Sequence, residues 1–425
     1  GNHPLYRHGP LRVSASGHHL EHADGTPFFW LGDTAWNGVI RSDDENWARY
    51  LSLRAAQRFS VIQFVATHWR GDAEDPCGER AYTSAEPLQI NPRFFQRLDR
   101  RVAMINAFGL VAAPVALWAL LPTDPGQCLS EAAATRLAAY VVARYDAYQV
   151  AWLLGGDAPY QDLGVERWKR IAREVFRWSH GRIVSLHPNG LNWVGEEFRS
   201  EPWFSFIGYQ SGHGSSPNDL GWLLRGPPAI HAGATPPKPI INLEPNYETA
   251  LAYESGVPFT DRHVRRAAWW SLLVSPTAGI TYGHESIWVW NYETGPAEGH
   301  GELHNGAVPP WEIGLESEGI RSMTVLRDII DHLDWTTMTP APDALAEQPG
   351  DRDLTAFQVA ARDASGTLVV YAPRGRSVQF LSAPPCPVRR VDPRTGDWAV
   401  IPASSTIPLP DDQDWLIVAG PGWRD

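Results

Sequence analysis

Short apolar runs alternate with longer segments whose apolar residues recur every three or four positions. The runs fall at 28–31, 61–66, 110–117, 151–154, 183–186, 204–210, 240–244 and 279–282. Predominantly apolar runs of this length predict strands buried on both faces. The segments between them predict amphipathic helices. One begins at Ser42, with Glu45 three residues on as a capping box, and places Trp47, Leu51, Ala55 and Phe59 on one face. Another opens at Asn91-Pro92, buries Phe94, Leu98, Val102 and Ile105, and stops at Gly109. Further helices are expected over 130–147, over a segment burying Trp168, Ile171, Val175 and Trp178, and over 260–274 and 317–333. Eight such alternations imply parallel strands and predict a closed (β/α)8 TIM barrel of the α/β class. An open doubly wound sheet is the rival, but no GxGxxG follows the first strand.

The pattern changes at both ends. Residues 11–31 predict a β-hairpin prelude turning at Asp24-Gly25. Beyond Leu333, Pro340 and Pro342 break the helical texture, and short alternating runs over 350–420 predict a small antiparallel β-sandwich. The expected division is a catalytic barrel over 1–337 and an accessory β domain over 338–425.

Composition narrows the partners. Net charge is −12 with acids and bases interspersed, which argues against nucleic acid. No apolar stretch approaches the length of a membrane span, so a soluble chain is expected. It begins at Gly1, which leaves open a cytoplasmic chain or a periplasmic or secreted one with its leader removed. Oligomeric state is equally open. Cys77, Cys128 and Cys386 show no metal-like spacing and no disulfide framework. Twenty tryptophans admit either a Trp-rich core or flat faces for stacking on sugars.

Chemistry in such a barrel collects where strands end. The strand ends supply Asp33 and Trp36, His68 and Trp69, Trp118, Asp157, His187, Tyr209 and Gln210, Glu244 with Tyr247, and His284 with Trp288. Asp157 follows Gly155-Gly156, and Glu244 precedes Pro245. Two carboxylates flanking a glycosidic oxygen are the equipment of a glycosidase. Asp157 as a helix cap and Glu248 in place of Glu244 are the competing readings. The histidines show no ligand spacing, so no metal and no cofactor are expected.

Pro27 to Trp36 (PFFWLGDTAW), Phe59 to Gln63 (FSVIQ), Gly155-Gly156-Asp157, and Leu243-Glu244-Pro245 with Tyr247-Glu248 together resemble the apiosidase-like glycoside hydrolases. The resemblance covers roughly residues 10–335. The remainder is similar to a small β domain, named for collagen binding, that often follows such barrels. Membership implies a clan A barrel with retaining chemistry, an acid/base after strand four and a nucleophile after strand seven. Asp157 and Glu244 stand at those positions. The implied activity is release of a terminal furanose, apiose or similar, from an oligosaccharide or glycoside. The alternatives are a non-hydrolytic glycan-binding barrel and a clan relative acting on a pyranose or arabinofuranose. The remaining strand-end residues named above are the expected sugar contacts. Long insertions over 70–90 and 285–316, the second containing Trp288, Trp290, Tyr292, His300, His304 and Trp311, are expected to wall a short pocket.

Overall fold

The computed structural model describes residues 3–68, 74–158, 160–161, 163–178, 181–297, 307–421 and 423. Its centre is eight parallel strands: β1 (Trp30–Thr34), β2 (Val61–Val65), β3 (Val111–Trp118), β4 (Ala151–Ala158), β5 (Ile183–Pro188), β6 (Ile207–Gln210), β7 (Ile240–Glu244) and β8 (Gly279–Tyr282). Every residue in them is buried. Burial of alternate side chains on both faces explains the predominantly apolar runs. Trp30, Val61, Val111, Val115, Leu153, Phe206 and Leu243 form one buried cluster, while Leu31, Ile62, Ala112, Leu154 and Ile280 pack with the helices in another.

The strands are ordered β5-β4-β3-β2-β1-β8-β7-β6. The barrel is nearly closed, and the seam between β5 and β6 is bridged by a side chain. The Ser185 hydroxyl donates to the Phe206 carbonyl at 2.7 Å and accepts from the Gly208 N–H at 3.0 Å. It thus replaces a rung that the backbone ladder does not make there.

Most helices fall where the periodicity puts them, including Asp44–Ala56, Pro92–Ala107, Glu131–Tyr145, Asp261–Leu273 and Glu318–Ile330. Three details differ. The first helix is capped by Asp43, whose carboxylate accepts from the Asn46 N–H at 2.7 Å. Ser42 instead ends the preceding short helix, its N–H bonded to the Gly38 carbonyl, so the capping box does not form. Trp178 is 79% exposed, because the helix Leu163–Val175 ends before it. Strand β4 runs four residues past Leu154, through both glycines and Asp157.

Three short antiparallel strands, Leu11–Val13, Leu20–His22 and Pro27–Phe28, precede the barrel. After it comes a six-stranded antiparallel sheet, ordered Thr339–Pro340, Val359–Arg362, Leu368–Ala372, Trp415–Ala419, Val388–Val391, Trp398–Ile401, with a two-stranded ribbon beside it. This sheet docks on the helix Asp261–Leu273. Arg265 makes a two-pronged buried ion pair with Asp414 at 2.8 and 2.9 Å. Trp269 stacks on Tyr371, and the Trp270 indole donates to the Phe357 carbonyl at 2.9 Å.

Candidate active site

The ends of β4, β5, β6 and β7 converge on one buried cluster. One oxygen each of Asp157 and Glu244 and one nitrogen of His187 all lie within 4.8 Å of one another. Two irregularities in strand register bring this about. Between β4 and β5, His187 pairs with Gly156 and Pro188 with Ala158, so Asp157 is the extra residue of a bulge. Between β6 and β7, Gln210 pairs with Glu244 and skips Leu243. Bulges at strand ends re-aim side chains, and here both aim into the same space.

Asp157 has φ of 47°. Few residues other than glycine adopt this left-handed conformation, aspartate being among the more tolerant, and it costs on the order of 1 kcal/mol or more. The glycine before it is needed for a different reason. A Cβ on Gly156 would sit 2.3 Å from the Trp118 ring, so only glycine lets that indole lie against the strand. The Gln210 amide donates to Asp157 Oδ1 at 2.9 Å and to the Pro188 carbonyl at 3.3 Å, which orients the carboxylate.

Glu244 is held from two sides. His187 Nε2 lies 3.4 Å from Oε2, and His213 Nε2 lies 3.0 Å from Oε1. Burial pushes this carboxyl up. His187 and His213, each close to one of its oxygens, more than offset that and hold it well below the usual carboxylate range. Like charges at the Asp157–Glu244 separation repel by roughly 3–4 kcal/mol at an effective dielectric of about 20. A negative charge this close disfavours ionisation of the second carboxyl.

Aromatic rings form the adjoining wall. Trp36 meets Trp118 at 5.2 Å and His187 edge-on at 4.9 Å. Tyr247 packs on His213 at 4.5 Å. Trp288 belongs to the same buried cluster as Trp36, Trp118 and Tyr247, and its indole donates to Glu285.

Other expected contacts go elsewhere. Asp33 is fully buried, and its oxygens accept from Arg54, the Tyr50 hydroxyl and the Thr34 N–H. It anchors β1 to the first long helix, and both of its oxygens accept hydrogen bonds from within the protein. Tyr209 points outward, against Trp193 and Trp222, because its place in β6 is one residue off the inward-facing Gln210. His284 caps the helix Glu285–Val289 through Nδ1, and burial lowers its pKa to about 4. His68 packs edge-on against Tyr82, and burial likewise lowers its pKa to about 4. Glu248, the competitor for Glu244, accepts from Tyr282, Ser317 and the Gly319 N–H. Trp290 and Trp311 are fully buried and stack on each other at 4.6 Å. Trp69, His300 and His304 lie outside the described residues.

His213 escaped the sequence reading. It sits past the end of β6, and the available signal was its setting, Ser211-Gly212-His213-Gly214, immediately after a strand end.

The catalytic-domain description of the apiosidase-like family matches residues 14–337. No protein of curated function matches the chain in sequence. Among solved structures, one described as a glycoside hydrolase superposes with a TM-score of 0.84 at 23% identity, over 98% of each chain. A glycoside hydrolase family 5 protein from Bacteroides vulgatus gives 0.83 at 21% identity, covering 97% of this chain and 93% of that one. A family 5 mannosidase from Rhizomucor miehei gives 0.52 at 12% identity, over 74% of this chain and 96% of the other.

Proposed function

This chain belongs to the apiosidase-like family, and from that premise we propose that it is a retaining glycosidase releasing a terminal furanose-type sugar, apiose or a close relative. Asp157 is its general acid/base and Glu244 its nucleophile. The observation that carries the reading is that one oxygen of Asp157 lies within 4.8 Å of one oxygen of Glu244, close enough for the narrower of the two carboxyl spacings glycosidases use. Retaining enzymes hold theirs about 5–5.5 Å apart, whereas inverting enzymes leave ~6.5–9.5 Å for a water.

The chemistry follows from the environment of each group. Glu244, kept ionised by His187 and His213, attacks the anomeric carbon. Asp157, carrying the proton that the paired charges favour, gives it to the departing oxygen. The glycosyl ester removes the charge on Glu244, and with it the reason for Asp157 to stay protonated. Asp157 then takes a proton from the incoming water, which releases the sugar and restores Glu244. Gln210 keeps Asp157 facing the bond through both steps. Trp36, Trp118, Tyr247 and Trp288 pack beside the carboxylates and back the sugar site, and His187 lies behind the two carboxylates.

The exo-acting part of the proposal rests on the long connections after β2 and β8, which rise from the same end of the barrel as the carboxylates. A panel of aryl furanosides and pyranosides, apioside included, tests the substrate. Nuclear magnetic resonance of the first-formed product tests retention: an inverted anomer overturns it. A fall in polymer viscosity before free sugar accumulates would overturn exo action.

A further inference from the structure

We propose that Asp157, His187 and Glu244 also form a binding site for a divalent transition-metal ion, zinc above all, and that the ion inhibits the enzyme by occupying the place of the reacting sugar. The inhibitory half rests on the glycosidase reading above. The binding half rests on the donor geometry alone.

His187 is fully buried, yet neither ring nitrogen makes a well-formed hydrogen bond within the protein. Glu244 Oε2, the oxygen facing it, likewise has none. These two atoms are 3.4 Å apart. Tetrahedral zinc with bonds of about 2.0–2.1 Å sets its donors roughly 3.3–3.4 Å from one another. One edge of a coordination tetrahedron is therefore already in place. An Asp157 oxygen supplies a third donor, since one atom from each of the three residues lies within 4.8 Å of the other two. Three protein donors leave a fourth position for water.

The ligand chemistry selects the metal. One imidazole and two carboxylates make a mixed nitrogen–oxygen set, which suits zinc; magnesium and calcium prefer oxygen alone. Charge points the same way. Two carboxylates face each other, with His187 3.8 Å from Asp157 and 3.4 Å from Glu244 and His213 3.0 Å from Glu244. A dication neutralises both acids at once, where a single proton neutralises one.

The test uses the full chain, treated with chelator and dialysed. Zinc chloride is titrated in by calorimetry, with indole fluorescence as a second readout, because Trp36 and Trp118 lie 4.9 and 6.0 Å from the His187 ring. The expectation is one saturable site per chain, an indole emission change that tracks occupancy, and affinity weakened by about tenfold or more in His187→Ala. Magnesium at the same concentration should leave the signal unchanged. Glu244→Gln, nearly isosteric, repeats the test should His187→Ala fail to fold. No saturable binding up to on the order of 1 mM zinc, or binding unchanged in both variants, overturns the proposal. With an active glycoside in hand, zinc should inhibit competitively and chelator should restore the rate. Binding without any glycoside turnover would sink the glycosidase reading and leave the metal site standing; turnover that zinc does not touch would do the reverse.

Discussion

His213 Nε2 lies 3.0 Å from Glu244 Oε1, while its Nδ1 accepts the Tyr247 N–H at 3.4 Å. A nitrogen that accepts cannot carry the proton, so the neutral ring presents Nε2–H to the carboxylate. The bond stabilises the ionised form of Glu244 and so lowers its pKa. A depressed carboxyl contributes stability above its ordinary pKa and loses it as pH falls towards the folded value. His213→Ala should therefore raise the acid limb of the kcat/KM profile. A hydrogen bond to a charged group, at about 1.5–3 kcal/mol, corresponds to roughly 1–2 pH units. The pH–rate profile reads this directly, and an unmoved acid limb would remove His213 from the mechanism.

Asp157 combines a left-handed backbone with a like charge nearby. Asp157→Asn should slow hydrolysis of substrates with poor leaving groups by roughly 10²–10⁴-fold. The same site should show the opposite effect on stability. Asp157→Gly removes both the strained conformation and the repulsion, and its melting midpoint should correspond to a gain of about 1 kcal/mol. A lower midpoint would mean that the carboxylate is a structural anchor.

Glu244 and Glu248 are four residues apart and make contrasting predictions. Glu244→Gln should abolish turnover with circular dichroism unchanged. Glu248→Gln should retain catalysis but lose about 1–3 kcal/mol of stability, because a buried three-donor arrangement is disrupted. Denaturant titration beside the activity assay separates them, and the reverse pattern would transfer the nucleophile to Glu248.

Asp33→Ala should unfold the chain early. It strands Arg54, a fully buried cation, and breaking such a pair costs about 3–5 kcal/mol. Where the variant is still folded, KM should match the parent. A raised KM at unchanged stability would restore Asp33 as a sugar ligand.

Removal of residues 338–425 should give insoluble protein, since it uncovers Trp269, Trp270 and the buried Arg265. The solubility of the truncated chain checks this, and a soluble, active barrel would point to a separate task for the accessory sheet.

The apolar runs and helical periodicity determined the eight-fold alternation, because burial on two faces leaves an unbroken signature that needs no partner to be recognised. They also determined which carboxylates end β4 and β7, and the change of texture after Leu333. Only the tertiary structure decided what each strand-end side chain touches. Asp33, Tyr209 and His284 looked like Gln210 and His187 in the chain. Their roles depend on which way one residue of register turns them, and on whether a buried partner such as Arg54 reaches them first. Strand four looked finished at Leu154, since glycines read as an ending; the bulge that extends it and swings Asp157 inward exists only against β5. His213 gave little sign for the same reason. Its partner Glu244 is remote in the chain, and a contact between two strand ends leaves no spacing in the sequence.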